Sequence, residues 1–259
     1  AVRLSKRLVT IMTDLDVELD LEALKVGEPN NEVLRDLFVE LEFRPLAEKF
    51  AVLAQASGVV TPEVERAEVT YSVVDQASDV DRLIEVLRAA GRMAISAEPS
   101  TEDPLRGKLV SLGLSVEGGA AWYLPFAHQQ PFELTFEGDG PGEVRNLPGL
   151  ATAEMSGLKA LLEDVTVAKV GHDLKRTALT LSREGVELGG VTCDVMVASY
   201  VLDPGRRSHA LTTLVLEAFS YKAIAYSDVV GSARKKVPFS DAPIERARDF
   251  VCEGADLAL

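Results

Sequence analysis

Between residues 68 and 194 the spacing of apolar residues switches from period two to period 3.6 and back several times, which narrows the fold more than any other feature. EVTYSVV (68–74) alternates like a strand, and SDVDRLIEVLRAAG is a helix closed by Gly91. RMAISAE, KLVSLGLSV and AAWYLPFAH read as three further strands, the last two joined by a hairpin turn at Glu117-Gly118-Gly119. A Gly/Pro-rich loop (137–149) precedes a helix in SGLKALLEDV, a strand in TVAKVG, a helix in DLKRTALTLSREG and a short strand in GGVTC. Helices are expected at about 194–202, 210–218 and 243–258. A strand meander followed by alternating helix and strand predicts an α/β fold, a mixed sheet flanked by helices.

Residues 1–60 differ and are expected to form a small helical N-terminal unit. LVTIMTDLDVELDL mixes β-branched and polar residues. Asn30-Asn31-Glu32 can cap a helix with Val33, Leu34, Leu37, Phe38 and Leu41 on one face. A second helical piece starts at Pro45, and GVVTPEVER (58–66) reads as a linker to a larger unit over 68–259. AVRLSKRLVT at the start reads like the middle of a protein.

Composition bounds the function. The net charge of −14 argues against strong autonomous binding to nucleic acid, because neutralised phosphates drive such affinity. No apolar run approaches the roughly 20 residues that span a bilayer. Cys193 and Cys252 lack metal-ligand spacing and are expected to be free thiols in a reducing, cytoplasmic setting.

Three segments then resemble the 3′–5′ exonuclease domain of bacterial DNA polymerase I, a ribonuclease H-like fold. The first is MAISAEPS with the following hairpin, which ends in Pro125-Phe126-Ala127-His128. In the family this strand ends in Asp-x-Glu. The second, AKVGHDLKRTALTLSREGVELGGVTCDVMVASYVLDP, resembles the Lys-Val-Gly-Gln-Asn-Leu-Lys-x-Asp helix and the Asp-Thr-Met helix after it. The third, RARDFVCEGADLAL, resembles the closing helix with its Tyr-x-x-x-Asp pair. The three lie in the right order over roughly residues 70–259. TDLDVELDLEAL and EVLRDLFVELEFRPL similarly resemble the tail of the preceding 5′ nuclease domain, and the resemblance implies a polymerase domain that would follow residue 259.

The resemblance implies a site of four carboxylates holding two Mg²⁺ ions about 3.5–4 Å apart for in-line displacement at a phosphodiester. Transferred to this chain, most of it is replaced. The Asp-x-Glu strand reads Ser96-Ala97-Glu98, the helix aspartate falls at Thr177, and the last aspartate at Gly254. The tyrosine that would orient water is Phe250. Hydroxyls are weak neutral ligands, and glycine and phenylalanine offer none. Glu98 is at most the one remaining metal ligand, and Asp173, one turn before Thr177, is the candidate substitute. Glu253 and Asp256 are expected to point away from the groove as solvated surface, as are Glu102 and Asp103 in a loop between Pro99 and Pro104.

Other chemistry finds less support. His128, His172 and His209 lack zinc spacing, and His128 at a strand end reads as structural. No nucleophile elbow supports a serine triad. Arg206-Arg207 and Arg234-Lys235-Lys236 read as solvated basic clusters. The expectation is therefore a catalytically inactive exonuclease-like module of a polymerase acting in DNA replication and repair. It would need no cofactor, meet DNA only through the full-length enzyme, contact no membrane and be a monomer. The alternative is an active metal-dependent exonuclease with relocated ligands.

Overall fold

The computed structural model describes residues 2–12, 20, 24–41, 43–56, 69–129, 145–219, 221–232 and 236–259. Its centre is a six-stranded mixed sheet in the order β1-β4-β3-β2-β5-β6. The strands are β1 (Thr70–Val73), β2 (Arg92–Pro99), β3 (Leu109–Glu117), β4 (Ala120–Pro125), β5 (Ala168–Gly171) and β6 (Val191–Asp194). β2, β3 and β4 form the antiparallel meander, while β5 and β6 add in parallel beside β2. β1 joins the far edge in parallel with β4, a pairing that alternation alone does not specify.

Nearly every residue of β2 and β3 is buried, as expected for strands covered on both faces. On one face, α4 (Ala77–Ala90) and α5 (Ser156–Glu163) bury Val80, Leu83, Leu87, Leu158 and Leu161 against Met93, Ile95 and Leu112. Each such side chain stabilises by about 1.5–3 kcal/mol relative to exposure. The other face carries α10 (Ile244–Asp256), whose Val251 and Cys252 pack with Val110, Tyr123 and Phe239. Successive residues of a strand face opposite ways, so Met93, Ile95 and Ala97 join the first layer while Ser96 and Glu98 turn toward α10. Gly113 of β3 permits the close approach of α10: a Cβ there would lie 2.5 Å from the Val251 carbonyl oxygen.

The remaining helices are α1 (Val2–Val9), α2 (Asn31–Glu40), α3 (Arg44–Ala56), α6 (Leu174–Arg183), α7 (Val195–Leu202), α8 (Leu211–Phe219) and α9 (Tyr226–Val230). Asn30 caps α2, accepting from the Val33 amide at 3.1 Å. Of the apolar face expected on α2, Phe38 packs but most of the rest does not. Val33, Leu37 and Leu41 are exposed, whereas Phe38 and Val39 pack on Ala47, Ala51 and Leu216 and Arg35 is buried. Its neighbours α3 and α8 cover Phe38 and Val39 and leave the first and last turns of the expected face in solvent. α1 was not expected, and it absorbs Leu8 and Val9 of the β-branched stretch. Residues 13–19 and 21–23 of that stretch, the linker at 58–66, residues 137–144 of the long loop, and Arg234 and Lys235 lie outside the described residues. No helix among the described residues is long and apolar enough to cross a membrane. Cys193 and Cys252 are both free thiols, the first exposed and the second buried.

Candidate functional site

Ser96, Glu98, Asp173, Thr177, Phe250 and Gly254, named from three separate stretches of sequence, line one cavity of about 300 Å³ between β2, α6 and α10. Gly254 faces Ser96 directly: a Cβ on the glycine would lie 3.3 Å from Ser96 Oγ. The sheet presents Ser96 and Glu98 two residues apart on the α10 side, and α6 brings Thr177 across the gap.

Glu98 is buried, and both of its oxygens are held by one side chain. Arg176 Nη1 donates to Oε1 and Nη2 to Oε2, each at 3.0 Å. Burial pushes the Glu98 carboxyl above the ordinary carboxylate range, and the guanidinium pulls against that rise. Desolvation works against the guanidinium charge, but its hydrogen bonds and proximity to Glu98 raise the Arg176 pKa overall. Arg176 stands one position before Thr177, where the sequence pattern marks no role, so spacing gave no warning of it.

Asp173 does not belong to the helix proper. It is the N-cap of α6 in the left-handed region (φ 53°), and its Oδ1 accepts the Arg176 amide at 3.3 Å. Its placement depends on Asp194, whose carboxylate accepts the amides of Asp173 at 3.1 Å, Leu174 at 2.7 Å, Met196 at 2.9 Å and Val197 at 3.4 Å. One carboxylate thus serves the first turns of both α6 and α7. Asp194 was missed, although an aspartate just before a helical run is a readable cap signal.

Two expectations on α10 are corrected. Glu253 is buried and lines the cavity, with Tyr221 OH donating to Oε1 and the Ile224 amide to Oε2, both at 2.6 Å. Asp256 does turn away from the cavity but is buried as well, accepting from Tyr71 OH and the Gly119 amide at 2.8 Å each. Helical rotation gives direction, not exposure: segment 221–225 covers one flank of α10, while β1 and the β3–β4 turn cover the other. Glu102 and Asp103 are exposed as expected. Glu102 pairs with Lys236, which also sits 5.7 Å from the Tyr226 ring centroid.

Tyr226 was missed too. Its ring lines the cavity between Phe239 and Phe250, with centroids 5.9 Å from each, and burial raises its hydroxyl pKa. His128 lies outside the cavity lining. It is buried, hydrogen-bonded through Nε2 to Tyr123 OH, and held by Asn146 at its backbone. Among the described residues, no group of three or more His, Cys, Asp and Glu side chains could hold a metal ion.

Comparison with known proteins fits this geometry. Residues 148–246, which include α6, α7, α8 and α9, match the family described as DNA polymerase I, ribonuclease H-like domain. A DNA polymerase I of Pseudomonas aeruginosa is 31% identical over 264 residues, 99% of this chain and 27% of that protein. The chain carries a DNA polymerase I-type 3′–5′ exonuclease-like domain. A DNA polymerase I of Rhizobium leguminosarum is 32% identical over 200 residues, 73% of this chain and 19% of that protein. The chain therefore spans only about a quarter of the length of the first DNA polymerase I it matches. In fold it is similar to a Trypanosoma brucei RNase D solved in complex with RNA U12, at TM-score 0.53 and 19% identity, covering 73% of this chain and 61% of that one. The sheet order, the flanking helices and these likenesses make it a ribonuclease H-like 3′–5′ exonuclease-type domain.

Proposed function

We propose that this domain is a catalytically silent 3′–5′ exonuclease-like module of a DNA polymerase I that serves DNA replication and repair, retained to support its neighbours rather than to proofread. The observation that carries this is the makeup of the cavity around Glu98. Ser96 stands beside it on β2 and Thr177 and Gly254 line the same cavity, and none supplies a carboxylate. Two divalent ions a few ångströms apart need several anionic oxygens to offset their repulsion, and two hydroxyls and a glycine do not provide them. Mg²⁺ does not fit this donor set. Phe250 likewise has no hydroxyl with which to orient a water. Residues 1–60 serve, in this reading, as the tail of a 5′ nuclease-like unit. DNA is met through the whole polymerase, since a chain of charge −14 has little to attract phosphate on its own.

A labelled single-stranded oligonucleotide incubated with the chain in Mg²⁺ or Mn²⁺ should keep its 3′ end. Each missing ligand costs several kcal/mol of charge stabilisation, and about 1.4 kcal/mol is a tenfold rate factor, so hydrolysis should sit at background. Trimming that disappears with Glu98→Ala would overturn the reading.

One observation favours the active alternative: Asp173 and Glu253 line the same cavity as Glu98. Each is already engaged, Asp173 as a helix cap and Glu253 by Tyr221 and Ile224. Relocated metal binding would have to break those contacts. Two anomalous peaks about 4 Å apart in Mn²⁺-soaked crystals would establish it.

A further inference from the structure

Glu98 poses a problem that the loss of neighbouring carboxylates does not explain. A carboxylate with almost no solvent contact is strongly disfavoured unless a cation or several donors meet it. In a metal-dependent site the ions themselves would supply that charge. Here Arg176 supplies it, with a planar fork whose two parallel bonds of 3.0 Å match both oxygens of the carboxylate. The guanidinium reaches the cavity-facing side of Glu98 from the first turn of α6. That turn is itself fixed, since Asp173 accepts the Arg176 amide and Asp194 accepts the amides of Asp173 and Leu174. The fork is therefore built in.

We propose that Arg176 is the resident cation of this cavity: its guanidinium takes the place at Glu98 that a divalent ion would need, satisfying the carboxylate from within the chain and keeping metal out. The inference rests on the silent-module reading and adds to it. Ligand loss explains why two ions would not assemble, and Arg176 explains why even one finds no vacancy at the remaining carboxylate. It also gives the Glu98–Arg176 pair a structural duty, because removing one partner leaves a buried uncompensated charge.

A double-mutant cycle on the full 259-residue chain tests it, with thermal unfolding read in EDTA and in millimolar Mn²⁺. Arg176→Met should melt several degrees below the parent in EDTA, and adding Glu98→Gln to it should recover most of the loss. Mn²⁺ should leave the parent's melting temperature unmoved, raise that of Arg176→Met, and leave the double variant unmoved. Equal melting of Arg176→Met and the parent would overturn the structural duty. A parent stabilised by Mn²⁺ only while Glu98 is present, or an Arg176→Met protein indifferent to Mn²⁺, would overturn the exclusion of metal. Should Arg176→Met fail to fold, the double variant decides: folding regained supports the proposal, and folding still absent overturns it. The outcome is separable from the silent-module reading, because metal-dependent trimming by the unaltered chain sinks that reading whatever the melting curves show.

Discussion

His128 gives up its ordinary titration to sit in the core. Burial lowers its pKa from 6.5 to about 4, and the Tyr123 hydroxyl meets its Nε2. The unfolded chain therefore binds the proton between pH 6.5 and 4 while the folded chain does not, so this group's contribution is present above that window and lost as pH falls through it. The contribution is on the order of 3 kcal/mol at neutral pH. In urea titrations, the stability difference between the parent and His128→Gln should shrink from pH 7 to pH 4.5. A constant difference would show that the imidazole is not held neutral. Tyr123→Phe should cost about 1–3 kcal/mol, because it strands a buried ring nitrogen. His128 was legible as structural because a histidine with no metal-spaced partner has few other uses. Glu253 and Asp256 were not, because one helix's rotation cannot say what the rest of the chain lays over it. Arg176 was hidden for a related reason: a bidentate partner across 78 residues leaves no mark in local spacing.

The strands and long helices were the most readable elements, with boundaries within a few residues, because a buried sheet imposes its own pattern on β2 and β3. α9, at five residues, is too short to show a helical period, and the packed face of α2 depends on α3 and α8. Asp194 joins two elements at once. Asp194→Ala would strip four amides at the starts of α6 and α7 of their acceptor, at a cost of about 2–4 kcal/mol. For a chain of this size that is a fall of very roughly 5–15 °C in melting temperature. Asp194→Asn, which keeps an acceptor, should lose less. At the crossing of β3 and α10, Gly113→Ala should cost about 1–3 kcal/mol by overpacking, while Gly118→Ala, with open space around it, should cost far less. Equal losses at the two glycines in chemical denaturation would argue that α10 can shift away from the sheet.

At the scale of the molecule, the positions named from sequence do meet in one cavity, which allows the silence to be tested in reverse. Ser96→Asp, Thr177→Asp and Gly254→Asp together would refill the cavity with carboxylates, and Phe250→Tyr would return a hydroxyl. Gly254 and Ser96 face each other closely enough that both new side chains must adjust by a few tenths of an ångström. With Arg176 kept, Glu98 stays occupied and the reconstructed cavity should remain silent. With Arg176→Ala added, Mn²⁺-dependent trimming of single-stranded DNA should emerge if the scaffold holds. Trimming of equal rate in both would remove the arginine from the explanation.

The tie between Tyr71 and Asp256 spans 185 residues, and that between Gly119 and Asp256 spans 137. A chain emerging from the ribosome at roughly 5–20 residues per second makes β1 about ten seconds or more before the residue that anchors it exists. Throughout that interval Tyr71 and the β3–β4 turn lack the carboxylate that ties them to α10. The closing helix thus sets the order of assembly: the first strand and the β3–β4 turn can be tied to it only when synthesis has passed Asp256.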